Sequence, residues 1–197
     1  MPRAKSYSKT ELAERAMNVF WSNGYDATSL DDLVAATQAS RHGIYSDFGG
    51  KHALFLASLD AYQGAIVSPA LSRLEAVNPS FSDLRAYFET QISLAETKGL
   101  PGPGCLVANT MTEIAPRDGE VQQRVEAHNE RLHRAFVNVL QTEAPKRAVD
   151  SCEALADILV VFAQGLWAMS RVVAEASILR RNVGDFLELI SERIHYE

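Results

Sequence analysis

Cysteine is scarce in this chain: there are two, Cys105 and Cys152, and they form no CxxC pair. That excludes a disulfide framework and a cysteine-based zinc site, and it suits a reducing compartment. Proline is sparse too, at 7 of 197 residues, which leaves room for long helices between the breaks. No apolar run approaches the ~18 residues that a membrane span needs. Met1 to Lys5 is not followed by the apolar core of a signal peptide. The expectation is a soluble, cytoplasmic protein with no membrane partner. Catalytic signatures are missing as well: there is no HExxH, no Walker loop, no GxSxG and no His or Cys cluster at metal spacing. His128 and His133 are five apart, so on a helix they diverge instead of chelating. No enzyme chemistry, cofactor or metal is expected. Strand alternation, internal repeats and low-complexity tracts are absent too.

What is present is helix, with 47% apolar residues to build a core. The net charge of −6 argues against a DNA binder until the chain is divided. Met1 to His52 carries six basic and six acidic residues, so the acidity belongs wholly to the remainder. The neutral head predicts moderate, salt-sensitive affinity for an anionic partner. Arg3 and Lys5 read as a basic arm or a solvated tail.

Ser8, with Glu11 three residues on, predicts a capped helix that buries Leu12, Ala16, Val19 and Phe20 and ends at Gly24. Thr28 and Ser29 are N-cap types, and Asp31 and Asp32 sit where a capping box wants a carboxylate. This second helix breaks at Gln38 to Ser40, and Ser40 caps a third. From Arg41 to Phe48 that helix buries Ile44 and Phe48 and turns Arg41, His42, Tyr45 and Ser46 outwards. Such a short, polar-faced helix suits a major groove.

Leu12, Ala16, Phe20, Gly24, Tyr25, Thr28, Ser29, Leu33, Ser40, Gly43, Ile44, Tyr45, Phe48 and Lys51, in this register, resemble the DNA-binding domain of the TetR repressor family. Two positions depart from the pattern. Gln38 stands where the family usually has glycine in the turn, and a left-handed backbone there costs Gln roughly 1 kcal/mol. Asp47 puts a negative charge near the phosphates. The resemblance implies an all-α fold: a three-helix, helix-turn-helix head over 1–52, and a six-helix effector-binding and dimerisation body over 53–197. It implies contact with double-stranded DNA through Thr28, Ser29, Ser40, Arg41, His42, Gly43, Tyr45, Ser46 and Lys51. It also implies a homodimer paired through the last two helices, a palindromic operator and a small-molecule effector. A DNA-binding activator, a regulator that needs a co-effector, or a ligand-binding module with a weak head are the alternatives.

In the body, a helix from Lys51 towards Leu74 should kink near Ser68, ahead of Pro69. Helices follow over Leu84 to Leu94, Cys105 to Ile114, Val121 to Val139, Asp150 to Ala176 and Val183 to Ile194. The break at Gly99 to Gly104 follows a helix and holds two prolines, so it is no phosphate cradle. The helix from Asp150 is apolar on two sides and must be covered on both. By helical phase, Tyr62, Phe88, Met111, His128, Phe136, Phe162 and Trp167 are candidate pocket walls. Cys105 opens a helix, where a thiol's pKa is lowered. The resemblance offers it as an electrophile-sensing thiol, and its packing offers it as a small buried hydrophobe.

Overall fold

A computed structural model describes residues 7–145 and 149–195, so the basic arm at Arg3 and Lys5 lies outside it. All regular structure among the described residues is helical. α1 (Lys9–Asn23) carries the expected capping box: Ser8 Oγ accepts from Glu11 N–H, and the Glu11 carboxylate accepts from Ser8 N–H. α2 (Leu30–Thr37) starts on a second box, Ser29 with Asp32. α3 (Arg41–Phe48) starts on Ser40, whose hydroxyl accepts from Gly43 N–H at 3.0 Å, and stops at left-handed Gly49. Gln38 does take the left-handed turn, at φ 60° and ψ 14°.

Three helices make too small a core, and α4 (Lys51–Tyr62) supplies the platform. Phe20 of α1 meets Phe55 of α4 edge-on at 5.0 Å, and Leu12, Ala16 and Leu54 are fully buried. Buried Ser58 donates to the Ala13 carbonyl at 3.2 Å and to its own helix at Leu54, so the two backbones lie close.

The break expected near Ser68 begins a turn earlier. Pro69 offers no N–H and its ring crowds the carbonyl of residue 65. The chain widens ahead of it into a π-helical turn (Gln63–Val67), closed where Ser68 N–H reaches back to the Gln63 carbonyl. The Ser68 hydroxyl donates to the same carbonyl at 2.8 Å. A short α5 (Ser68–Leu71) completes the rod.

The body continues with α6 (Phe81–Lys98), α7 (Leu106–Glu113), a 3-10 turn at Ala115–Arg117, α8 (Gly119–Glu143), α9 (Val149–Met169) and α10 (Ala176–His195). With the interrupted rod taken as one, the body has six helices among the described residues. α9 ends at Met169, short of the Ala176 expected. Ser170 turns its hydroxyl back onto the Trp167 carbonyl, and residues 170–172 form a turn, which frees Ala176 to open α10 early. Phe162 of α9 stacks on Phe186 of α10 at 3.9 Å, and Arg180 of α10 bridges Glu89 and Glu96 on α6. Contrary to the sequence expectation, two stretches, Lys51–Leu71 and Val149–Met169, are long and apolar enough on average to cross a bilayer. Their polar residues are dispersed, so the mean stays apolar while no uninterrupted run exists. Both belong to the helical core, which is an ordinary setting for such helices.

Candidate nucleic-acid interface and ligand cavity

The α2–α3 unit presents Ser29, Ser40, Arg41, His42, Tyr45 and Ser46 to solvent, with Ile44 fully buried beneath them. Arg41 is ion-paired with Asp31 of α2. Both side chains are more than half exposed, so the pair is worth about 1 kcal/mol at most and yields readily to a phosphate or a base. Lys51 is half-buried at the start of α4, its ammonium 4.2 Å from the centre of the Tyr25 ring. That holds a cation beside a helix N-terminus, where a phosphate is also favoured.

Two expected contacts do not lie on this face. Thr28 is fully buried, and its hydroxyl donates to the Gly24 carbonyl at 2.6 Å. It is a turn residue, because the cap belongs to Ser29. Gly43 is also buried, against the Tyr7 hydroxyl, in a space that any side chain would fill.

A cavity of about 110 Å³ lies where the head meets the body. Three of the expected wall residues, Tyr62, His128 and Trp167, line it, and so does Cys105. Four do not. Phe88 and Phe136 are fully buried and stacked, at 6.3 Å between centres, as core. Phe162 is occupied by Phe186, and Met111 faces Asn129. Helical phase identified their buried side without telling core from cavity. Sequence reasoning missed Trp21, Tyr87, Gln91 and Lys98, which also line it. Trp21 carried a signal: it is a large aromatic one residue beyond the buried stripe of α1.

Cys105 departs from the expectation of an acidic thiol. Burial pushes its pKa up, outweighing the Tyr62 hydroxyl and the N–H groups of Ala108 and Val107, which favour the thiolate. Tyr62 Oη donates to its sulfur at 3.5 Å, and burial raises that phenol too. His128 is pushed down to about 4 by burial, then by Arg131; its Nδ1 meets Gln63 Nε2 at 3.1 Å. The cavity floor is therefore uncharged at neutral pH.

Four joints tie this region to the head. Trp21 Nε1–H donates to the Gly104 carbonyl at 2.9 Å, and its ring meets Tyr62 edge-on at 5.1 Å. The Glu113 carboxylate, at the far end of α7 from Cys105, accepts from Tyr25 N–H at 3.1 Å and Asp26 N–H at 2.9 Å. Arg117 pairs with Asp26, and His52 meets Asp118 at 2.7 Å.

A helix-turn-helix head joined by hydrogen bonds and ion pairs to a helical body, with a cavity at the joint, is the architecture of a DNA-binding transcriptional regulator. The comparisons agree. The family described as bacterial regulatory proteins, tetR family, matches residues 12–58, and the tetracyclin repressor-like C-terminal domain matches residues 80–185. The chain belongs to the TetR family of transcriptional regulators, which are DNA-binding proteins and not enzymes. It is 30% identical to the HTH-type transcriptional repressor ComR of Escherichia coli (strain K12), over 98% of this chain and 93% of that protein. It is 25% identical to the HTH-type transcriptional repressor DhaR of Mycobacterium sp. (strain GP1), over 97% of this chain and 94% of the relative. Among solved structures, a cysteine mutant of the TetR family regulator CifR, complexed with 26-bp double-strand operator DNA, superposes with a TM-score of 0.79. That match covers 94% of this chain and 98% of the other at 23% identity.

Proposed function

We propose that the protein is a homodimeric repressor that leaves its operator when the body takes up a small molecule. The observation that carries this reading is the exposed α3 face, Arg41, His42, Tyr45 and Ser46, braced by buried Ile44. Residues 1–52 act as the reading head and 53–197 as the effector and dimerisation body. In the major groove Arg41 exchanges Asp31 for a guanine edge, the side chain best shaped for that contact. Tyr45 donates to a phosphate, and Ser29, Ser40 and Lys51 fix the register on the backbone. ComR and DhaR are named repressors, which supports repression over activation.

Dimerisation is supported by an unpartnered stripe on α9. Ile158, Val161, Gly165, Met169 and the following Val172 recur at three, four, four and three, all exposed. Pairing α9 and α10 with their copies would cover it as a four-helix bundle. Two heads then meet half-sites about one helical turn apart, so the operator is palindromic. Release follows from linkage, with a coupling of roughly 1–3 kcal/mol between cavity and head. Trp21, shared by α1 and the cavity wall, supports that coupling. With its thiol kept protonated by burial, Cys105 favours ligand uptake over oxidation as the trigger. Such a regulator works in the cytoplasm.

The test is selection of DNA from a random pool by the purified full-length protein. An enriched palindrome is expected. No enrichment at low salt would overturn the reading.

A further inference from the structure

The cavity's charge pattern is one-sided. None of its lining residues is an aspartate or glutamate. Its floor is made by neutral Tyr62, Tyr87, His128 and Trp167. Its rim is formed by the last turns of α6, where Leu94 and Lys98 are exposed. Lys98 pairs with no carboxylate among the described residues; its ammonium rests 5.0 Å from the centre of the Trp21 ring. Beside Trp21 and Gly104 lies the start of α7, where Cys105 offers the first-turn N–H groups only a weak sulfur acceptor. A helix N-terminus adds a partial positive charge. A cation entering this space would find no counter-charge and would meet Lys98 at the mouth. An anion held wholly inside would lose its water among neutral groups, with no cation to answer it until the rim.

The volume adds a second limit. At about 110 Å³ the cavity falls somewhat below the ~150 Å³ apolar cavity that takes up a benzene ring, though it opens at the rim. It suits one ring with one substituent directed outwards.

We propose that the cavity binds a compact, single-ring aromatic carboxylate, ring against the wall formed by Trp21, Tyr62 and Trp167, carboxylate at the rim on Lys98. This rests on the reading of the body as the effector domain and deepens it. The carboxylate draws the ammonium off the Trp21 face. The ring presses on an indole that is held to Gly104 and belongs to the head. Ligand uptake and head position are thereby the same event.

Both tryptophans of the chain line the cavity, so intrinsic fluorescence reports occupancy directly. The full-length protein is titrated with benzoate, benzamide and benzylammonium, which share size and differ in charge. Benzoate is expected to bind at least tenfold more tightly than benzamide, and benzylammonium weakest. Lys98→Met should remove that preference, bringing benzoate to within about threefold of benzamide in the same variant, and Lys98→Arg should keep it. Equal binding of the three, tighter binding of benzamide or benzylammonium, or no fluorescence change with any of them overturns the proposal. Release is scored separately on a selected operator. Benzoate that binds with the expected preference but leaves the DNA complex intact upholds the ligand class and removes the effector reading.

Discussion

Gln38 occupies a left-handed position that glycine would fill at lower cost. An L-residue there loses roughly 1–2 kcal/mol, partly offset because glycine has more freedom to lose on folding. Gln38→Gly is expected to stabilise the protein by up to about 1 kcal/mol, read as a raised urea midpoint with an unchanged slope. Tyr45 and Lys51 carry a second prediction. If they hold phosphates, Lys51→Ala lowers the slope of log affinity against log salt by about one, and Tyr45→Phe weakens binding about equally on all operators. Unchanged affinity and slope in both variants would remove the docking assignment. At this scale the sequence was legible where a residue's role is local. Ser8, Ser29 and Ser40 cap because hydroxyls satisfy first-turn N–H groups, and each has that contact here. It was less legible where burial decides. Thr28 and Ser29 are equivalent cap types in the sequence, and only the packed turn sends one inside. At Cys105 the sequence offered both a helix N-terminus and a buried small hydrophobe, and only the packed structure shows that desolvation outweighs the N-terminus.

α8 and the π turn of the α4 rod meet through His128 and Gln63, which makes this contact sensitive to acid. The folded imidazole resists protonation down to about 4, against 6.5 for the ordinary side chain. Above pH 6.5 both folded and unfolded chains carry it neutral, and it costs nothing. Between 6.5 and 4 the unfolded chain takes the proton first, so stability falls with pH, by about 3 kcal/mol over the whole window. Urea denaturation at pH 5 is expected to read about 2 kcal/mol less stability than at pH 7 from this group. His128→Gln should flatten that limb; a limb that survives would assign the loss to other groups. The lowered carboxylates of Glu11, Glu75, Asp32, Asp83 and Asp118 lose their contribution as pH falls through their ordinary values of 4.5 and 3.8, so they add to the fall only at the acid end of this window, and the comparison is made at pH 5 and above. Among elements, the helices of the head, and α8, could be read from apolar spacing and caps. The π turn could not, because Pro69 announces a break without saying how the preceding turn absorbs it. The end of α9 was missed because Val172, Val173 and Ala176 extend its apolar pattern past Met169.

At the scale of the whole molecule, charge is divided between the two functions. The head is neutral overall and the body carries the net −6. Two acidic bodies can pair only through a face that excludes charge, and the α9 stripe is such a face. Val161, 73% exposed, lies inside the stripe, one turn from Gly165, which has open space where a Cβ would stand. A side-chain-free position of this kind lets a second helix approach closely. Val161→Asp would set like charges across the two-fold axis, and such juxtapositions cost several kcal/mol. Because the Val161 side chain is largely exposed in the single chain, the fold itself should survive, which far-UV circular dichroism checks. On the proposed pairing, sedimentation velocity should find a dimer for the wild-type chain and a monomer for the variant. A monomer engages one half-site at a time and forfeits the gain of linked binding, typically 10²–10⁴-fold. Operator affinity should fall by about that factor, while affinity for an isolated half-site stays unchanged. A Val161→Asp protein that still sediments as a dimer would move the interface off α9. A monomer that still binds the full operator as tightly as the wild type would instead remove the requirement for two heads.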